Sequence, residues 1–225
     1  MRTKSMLSLL SLSLVLVAAC SKEEAKPLPN PTEPPAPVAT AAVKTASAKR
    51  GELLVGIGGC NDCHTPMKFD PVLGMPVPQM ERMLSGHPEG APDPSGAPGK
   101  GDQAVIGPTF TAFKLPFGTV YTANLTPDNE TGLGLWSVDE FKRAMRTGRH
   151  RGAESGRPIL PPMPWMNLAA HASDEDLESI FAYLKTIPAV KNRVAEPNVP
   201  PPVFAAMADS YGKIASQKKS GPPHL

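Results

Sequence analysis

The sequence predicts an all-α domain with long loops. Three observations predict it: helical periodicity with matching start and stop signals at three places, no convincing run of strands, and 28 Pro and 19 Gly among 225 residues, which demand turns and extended connections. The first helix is expected over Ala48 to Gly58, with Leu53, Leu54 and Ile57 on one face and Gly58-Gly59 ending it. The second starts at Ser137, where Ser137 and Glu140 form a capping box and Trp136 can staple onto Phe141. It runs to Thr147 and stops at Gly148. The third opens with Ser173 and Asp176 in the same capping pattern, carries Leu177, Ile180, Phe181 and Leu184 as its buried stripe, and is followed by Pro188. Between His64 and Trp136 lies a stretch of about 70 residues without clear periodicity, an unusually long loop for a compact domain. Within it, residues 86–103 are expected to be mobile surface. His87 in that insert and His224 near the carboxyl terminus are expected to be exposed bystanders.

Length allows one ordinary domain with appendages. Only 5% of residues are aromatic, thin cover for a core unless a bulky apolar cofactor supplies part of it. The formal charge of +2 falls away if an amino-terminal signal is removed, because loss of Arg2 and Lys4 leaves 21 basic against 21 acidic side chains. A near-neutral chain argues against nucleic acid as a partner. The organisation expected is 1–19 signal peptide, 20–47 Pro/Ala-rich tether, 48–192 folded domain and 193–225 Pro-rich tail, which either packs on the domain or trails free.

Arg2 and Lys4 precede an apolar run from Met6 to Val17, too short for a spanning helix of roughly 20 residues but suited to a secretory signal. Val17-Ala18-Ala19-Cys20 resembles a bacterial lipoprotein cleavage site, in which Cys20 becomes the lipid-bearing first residue; the alternative is a plain signal peptide with an incidental cysteine. Acyl chains contribute about 0.8 kcal/mol per buried methylene, and two or more anchor stably. The lipoprotein resemblance, with Ser21 after the cysteine, implies the periplasmic face of the outer membrane, with the inner membrane as alternative. Six of the eleven residues from Pro27 to Pro37 are proline, giving either an extended stalk or a leader with no mechanical role.

Cys60-Asn61-Asp62-Cys63-His64 is the attachment pattern for c-type haem. The two cysteines lie about one helical turn apart, so both sulfurs can reach vinyl groups of one porphyrin, and the adjacent histidine can serve as proximal ligand. A zinc site would need a fourth ligand, and there is no second cysteine pair; a thioredoxin-like site would need a strand–helix–strand context, which the flanks do not show. The sixth ligand is expected at Met163, in Pro161-Pro162-Met163-Pro164-Trp165, because the prolines fix the backbone around one thioether and forbid helix there. Met166 is the runner-up, and His150, His171 and Met67 are the remaining candidates.

From about Leu53 to Asn192 the chain resembles the mono-haem class I cytochromes c and the haem domains of membrane-bound alcohol and gluconate dehydrogenase cytochrome c subunits. The resemblance runs through Cys60 to Pro66, Pro116 to Tyr121, Asn124 to Asp128, Glu130 to Gly134, Met163-Pro164-Trp165, Asp174 to Leu177 and Ala182-Tyr183-Leu184. It implies a class I cytochrome c fold wrapped round one covalent haem c, axial roles for His64 and Met163, and the first helix crossed against the last. Those dehydrogenase subunits carry three haems, whereas this chain has a single C-x-x-C-H, which points to a carrier or accessory domain.

With both axial positions filled, the expected function is one-electron transfer between redox proteins (a dehydrogenase, another cytochrome or a terminal oxidase), without a catalytic residue. The alternatives are a fixed subunit of one dehydrogenase, or a haem enzyme or gas sensor with a labile sixth position. Lys142, Arg143, Arg146, Arg149, Arg151 and Arg157 form a basic group, read as a docking face, as cover for haem propionates or as an ordinary solvated face.

Overall fold

A computed structural model of the chain describes residues 45–96 and 103–217. The expected signal peptide, Cys20, the tether as far as residue 44, residues 97–102 and His224 lie outside the described residues. Helix α1 spans Thr45–Ile57, α2 Cys60–His64, α3 Val138–Thr147, α4 Trp165–His171, α5 Asp174–Leu184 and α6 Pro201–Gln217. Strands β1 (Met67–Asp70) and β2 (Met75–Pro78) form an antiparallel hairpin. Strands β3 (Val105–Ile106), β4 (Ala112–Leu115) and β5 (Gly118–Tyr121) form a three-stranded antiparallel sheet in that order.

The all-α expectation is therefore corrected: the region read as one long loop carries two antiparallel sheets. Its strands are two to four residues long, too short to show an alternating pattern, and β2 contains two prolines, which ordinarily argue against a strand. Pro76 and Pro78 are tolerated because the hairpin has only two strands, so each strand has an edge free of the ladder.

The helical frame follows its local signals. Ser137 accepts from the Glu140 backbone N–H while the Glu140 carboxylate accepts from the Ser137 N–H, and Ser173 and Asp176 repeat the arrangement at α5. Leu177, Ile180, Phe181 and Leu184 are all buried, each contributing about 1.5–3 kcal/mol. They join Phe141 and Met145 of α3 and Val55 of α1 in the main core.

Helix α1 turns a different face inward from the one expected. Leu53 and Ile57 are exposed, while Gly51 and Val55 are buried. The reason is close approach: a Cβ on Gly51 would sit 1.9 Å from the Ser179 carbonyl oxygen of α5. A glycine thus sets the crossing of α1 on α5; Leu53 and Ile57 are rotated away from it, while Leu54 stays partly buried against the main core. Arg50 and Asp176 close the crossing with an ion pair at 2.6 Å.

Besides the short α2, two helices had no counterpart among the expected ones. Helix α4 begins one residue after Pro164. Helix α6 occupies most of the described tail, laying Val203, Phe204 and Met207 on a second core made by Phe113, Val120, Leu160 and Val199. The tail is also pinned to β5, where Thr119 and Asn198 exchange backbone hydrogen bonds of 3.0 and 2.9 Å. No helix among the described residues is long and apolar enough to cross a membrane.

Candidate functional site

Gly59 adopts a left-handed conformation (φ 63°) between α1 and α2, which turns the chain so that Cys60 to His64 starts a fresh helical turn. The two cysteines are free and half-buried. Burial is the main reason both thiols are pushed above the usual range. Cys60 packs on the main core and Cys63 on the second core, so α2 lies where the two meet.

His64 is buried, and its Nδ1 lies 2.8 Å from the Ala123 carbonyl oxygen. A carbonyl can only accept, so Nδ1 carries the proton and Nε2 keeps its lone pair for a metal. Burial holds the ring's pKa below the ordinary histidine value, which favours the neutral imidazole. The backbone around it is held as well: Gly86 N–H donates to the His64 carbonyl at 2.8 Å, and Leu84 N–H donates to Thr65 Oγ1 at 3.0 Å.

Asn192 ties this side together, and sequence reasoning missed it. It is 1% exposed; its Oδ1 accepts from Arg82 Nη2 (2.9 Å) and the Glu89 N–H (2.8 Å), and its Nδ2 donates to the Ser85 (2.7 Å) and His87 (2.9 Å) carbonyls. No local signal marks it, because every one of these partners is remote in the chain.

His87 departs from its expected exposure. It is buried, within 2.9 Å of Thr111 Oγ1, with its ring 5.0 Å from that of Tyr121. Tyr121 donates to Asp93, and burial together with that carboxylate pushes its pKa up to about 12. The part of 86–103 that is described is thus anchored at its start.

Met163 is half-buried and packs on the main core, which Cys60 also joins, and on a small cluster of Trp165, Ala169 and Tyr211. Met166 points outward, 46% exposed. His171 ends α4 on the surface, and His150 is exposed with its ring edge-on to Trp136 at 5.1 Å. Met67 lies in β1, its N–H bonded to the Thr109 carbonyl.

Most of the basic group turns inward on the protein itself. Lys142 pairs with Glu178 and Asp139, Arg146 with Asp174, Arg151 with Glu140 and Arg157 with Glu196; Arg149 donates to the Gly156 and Ala208 carbonyls. Ion pairs of this kind, with one or both partners largely exposed, are what an ordinary solvated face shows.

The residues fit a covalent, polar-edged haem. Two unpaired cysteines sit one turn apart, an imidazole is oriented with a free nitrogen, and the Met163 thioether packs on the core that Cys60 also joins. Ser85 Oγ, Thr122 Oγ1 and Arg82 Nε are buried without a hydrogen-bond partner, and Ser85 and Thr122 each adjoin a residue that bonds to His64. Among the described residues no group of three or more His, Cys, Asp or Glu side chains could hold a metal ion.

The chain is similar to c-type cytochromes, and in particular to the cytochrome c subunits of dehydrogenases. It is 32% identical over 138 residues to the gluconate 2-dehydrogenase cytochrome c subunit of Pantoea cypripedii, covering 61% of this chain and 22% of that one. It is 44% identical over 73 residues to a nicotinate dehydrogenase subunit of Pseudomonas putida, covering 32% and 6% respectively. A diheme cytochrome c-type of Cereibacter sphaeroides matches at 26% identity over 154 residues, 68% of this chain and 40% of its own. The chain therefore corresponds to less than half the length of each. No family model matches it.

Proposed function

We propose that this protein is an electron carrier holding one covalent haem c, bound through thioethers at Cys60 and Cys63 with His64 and Met163 as axial ligands. The observation that carries the reading is the Cys60–His64 turn with His64 Nδ1 donating to Ala123, which leaves Nε2 free to bind iron. Bound haem supplies reversible one-electron chemistry at its iron. Met163 is favoured over Met166 because its side chain is turned into the core while that of Met166 faces solvent. The single C-x-x-C-H supports one haem.

The carrier is proposed to be exported, to be held to the periplasmic side of a membrane by lipid on Cys20, and to pass electrons from a dehydrogenase to another cytochrome or a terminal oxidase. Outer-membrane attachment is the preferred location, with the inner membrane as alternative. A second reading, a fixed electron-transfer subunit of one dehydrogenase, is favoured by the relatives, several of which are such subunits. Intact-mass analysis of detergent-extracted protein tests the assignment. The expected mass is that of residues 20–225 plus one haem and acyl chains, with the haem retained after acid–acetone treatment. A haem lost to that extraction would overturn covalent attachment, and an unmodified Cys20 would overturn the anchor.

A further inference from the structure

The Pro161-Pro162-Met163-Pro164 segment has few means of fixing itself. Three of its four residues lack an N–H, and the Met163 N–H reaches only the Leu160 carbonyl, at 3.2 Å. The direction of the Met163 side chain must then be set by anchors at the two ends. Upstream, the Ile159 N–H donates to the Gly148 carbonyl at 2.7 Å, and the Ile159 carbonyl accepts from the Tyr211 hydroxyl at 2.8 Å. Downstream, Trp165 is 1% exposed and lies against Gly148, where a Cβ would come within 2.3 Å of its ring. The Tyr211 ring meets Trp165 edge-on, with centroids 4.8 Å apart. Tyr211 thus touches the chain on both sides of Met163. Helix α6 holds it there through Met207, which packs in both the Cys63 and the Met163 clusters, and through the Ala208 carbonyl, which accepts from Arg149 at 3.0 Å.

We infer that Tyr211 is a positioning residue for Met163, with α6 acting as the brace that keeps the thioether on the iron; this rests on Met163 being the axial ligand proposed above. Removing the hydroxyl frees the Ile159 carbonyl and one end of the segment. The ring and its packing stay.

The test titrates imidazole into ferric holoprotein while following the far-red charge-transfer band of a thioether ligand. Tyr211→Phe should bind imidazole about fivefold more tightly than wild type, the factor that one typical net hydrogen bond represents. Its midpoint potential should fall. Arg50→Gln, which breaks the ion pair to Asp176 at the α1–α5 crossing, and Ser210→Ala, whose hydroxyl bonds within α6, should leave imidazole affinity unchanged. The inference is overturned if Tyr211→Phe keeps wild-type affinity and potential, or if Arg50→Gln raises affinity equally. Met163→Ala separates the two levels: a band that persists in that variant sinks the ligand assignment itself, whatever Tyr211→Phe does.

Discussion

The His64 side and the Met163 side of the site are built differently. Around His64, hydrogen bonds dominate: the ring to Ala123, its carbonyl to Gly86, the neighbouring Thr65 hydroxyl to Leu84, and Asn192 binding the 82–89 segment from four directions. Around Met163 the chain is proline-rich and is held by aromatic packing and by a tyrosine from the most carboxyl-terminal described helix. A directional network fixes an imidazole's ring plane and tautomer; a thioether has no such requirement and needs only to be kept in place. The methionine side should therefore yield first when the protein is perturbed.

The largest expected effect breaks that side outright. Met163→Ala should abolish the far-red band and open the iron to cyanide and carbon monoxide while the haem stays attached, whereas Met166→Ala should leave the spectrum unchanged. Reversed spectra for the two variants would move the ligand to Met166. Ready carbon monoxide binding by wild type would instead favour a sensor or enzyme.

On the other side, Asn192→Ala should cost about 3 kcal/mol in chemical denaturation, since it leaves several buried polar groups unsatisfied. The far-red band of the folded fraction should persist. Loss of the band before unfolding would mean that the two sides are coupled.

The smallest effect concerns acid. Arg151 and the Ser137 N–H hold the Glu140 carboxyl down to about 2 from an ordinary 4.5, and Glu140 in turn tethers Arg151 in the segment leading to Met163. A depressed carboxylate pKa stabilises above the unfolded value, so this contribution is full above about pH 4.5 and drains away as pH falls toward about 2. Glu140→Gln keeps a capping side chain and should flatten that part of the acid profile, measured as thermal midpoint against pH. An unchanged profile would show that other carboxylates govern acid loss.

The chain itself determined what is local. Both capping boxes, the α5 stripe and the attachment motif are set by residues within a few positions of one another, where propensity and side-chain reach suffice. Periodicity in Val203, Phe204, Met207 and Tyr211 was there to be read as α6, but the prolines at 200–202 marked that stretch as tail. What only the tertiary structure decided depends on partners far apart in sequence. Strands of two to four residues exist because their ladders pair them, not because of their own pattern. Gly51 rather than Leu53 faces α5, since backbone approach outweighed side-chain apolarity. His87 is buried, Asn192 is a hub and Tyr211 braces Met163, because a hydrogen bond or ring contact between distant segments has no spacing rule. It exists only once packing has brought the two ends together.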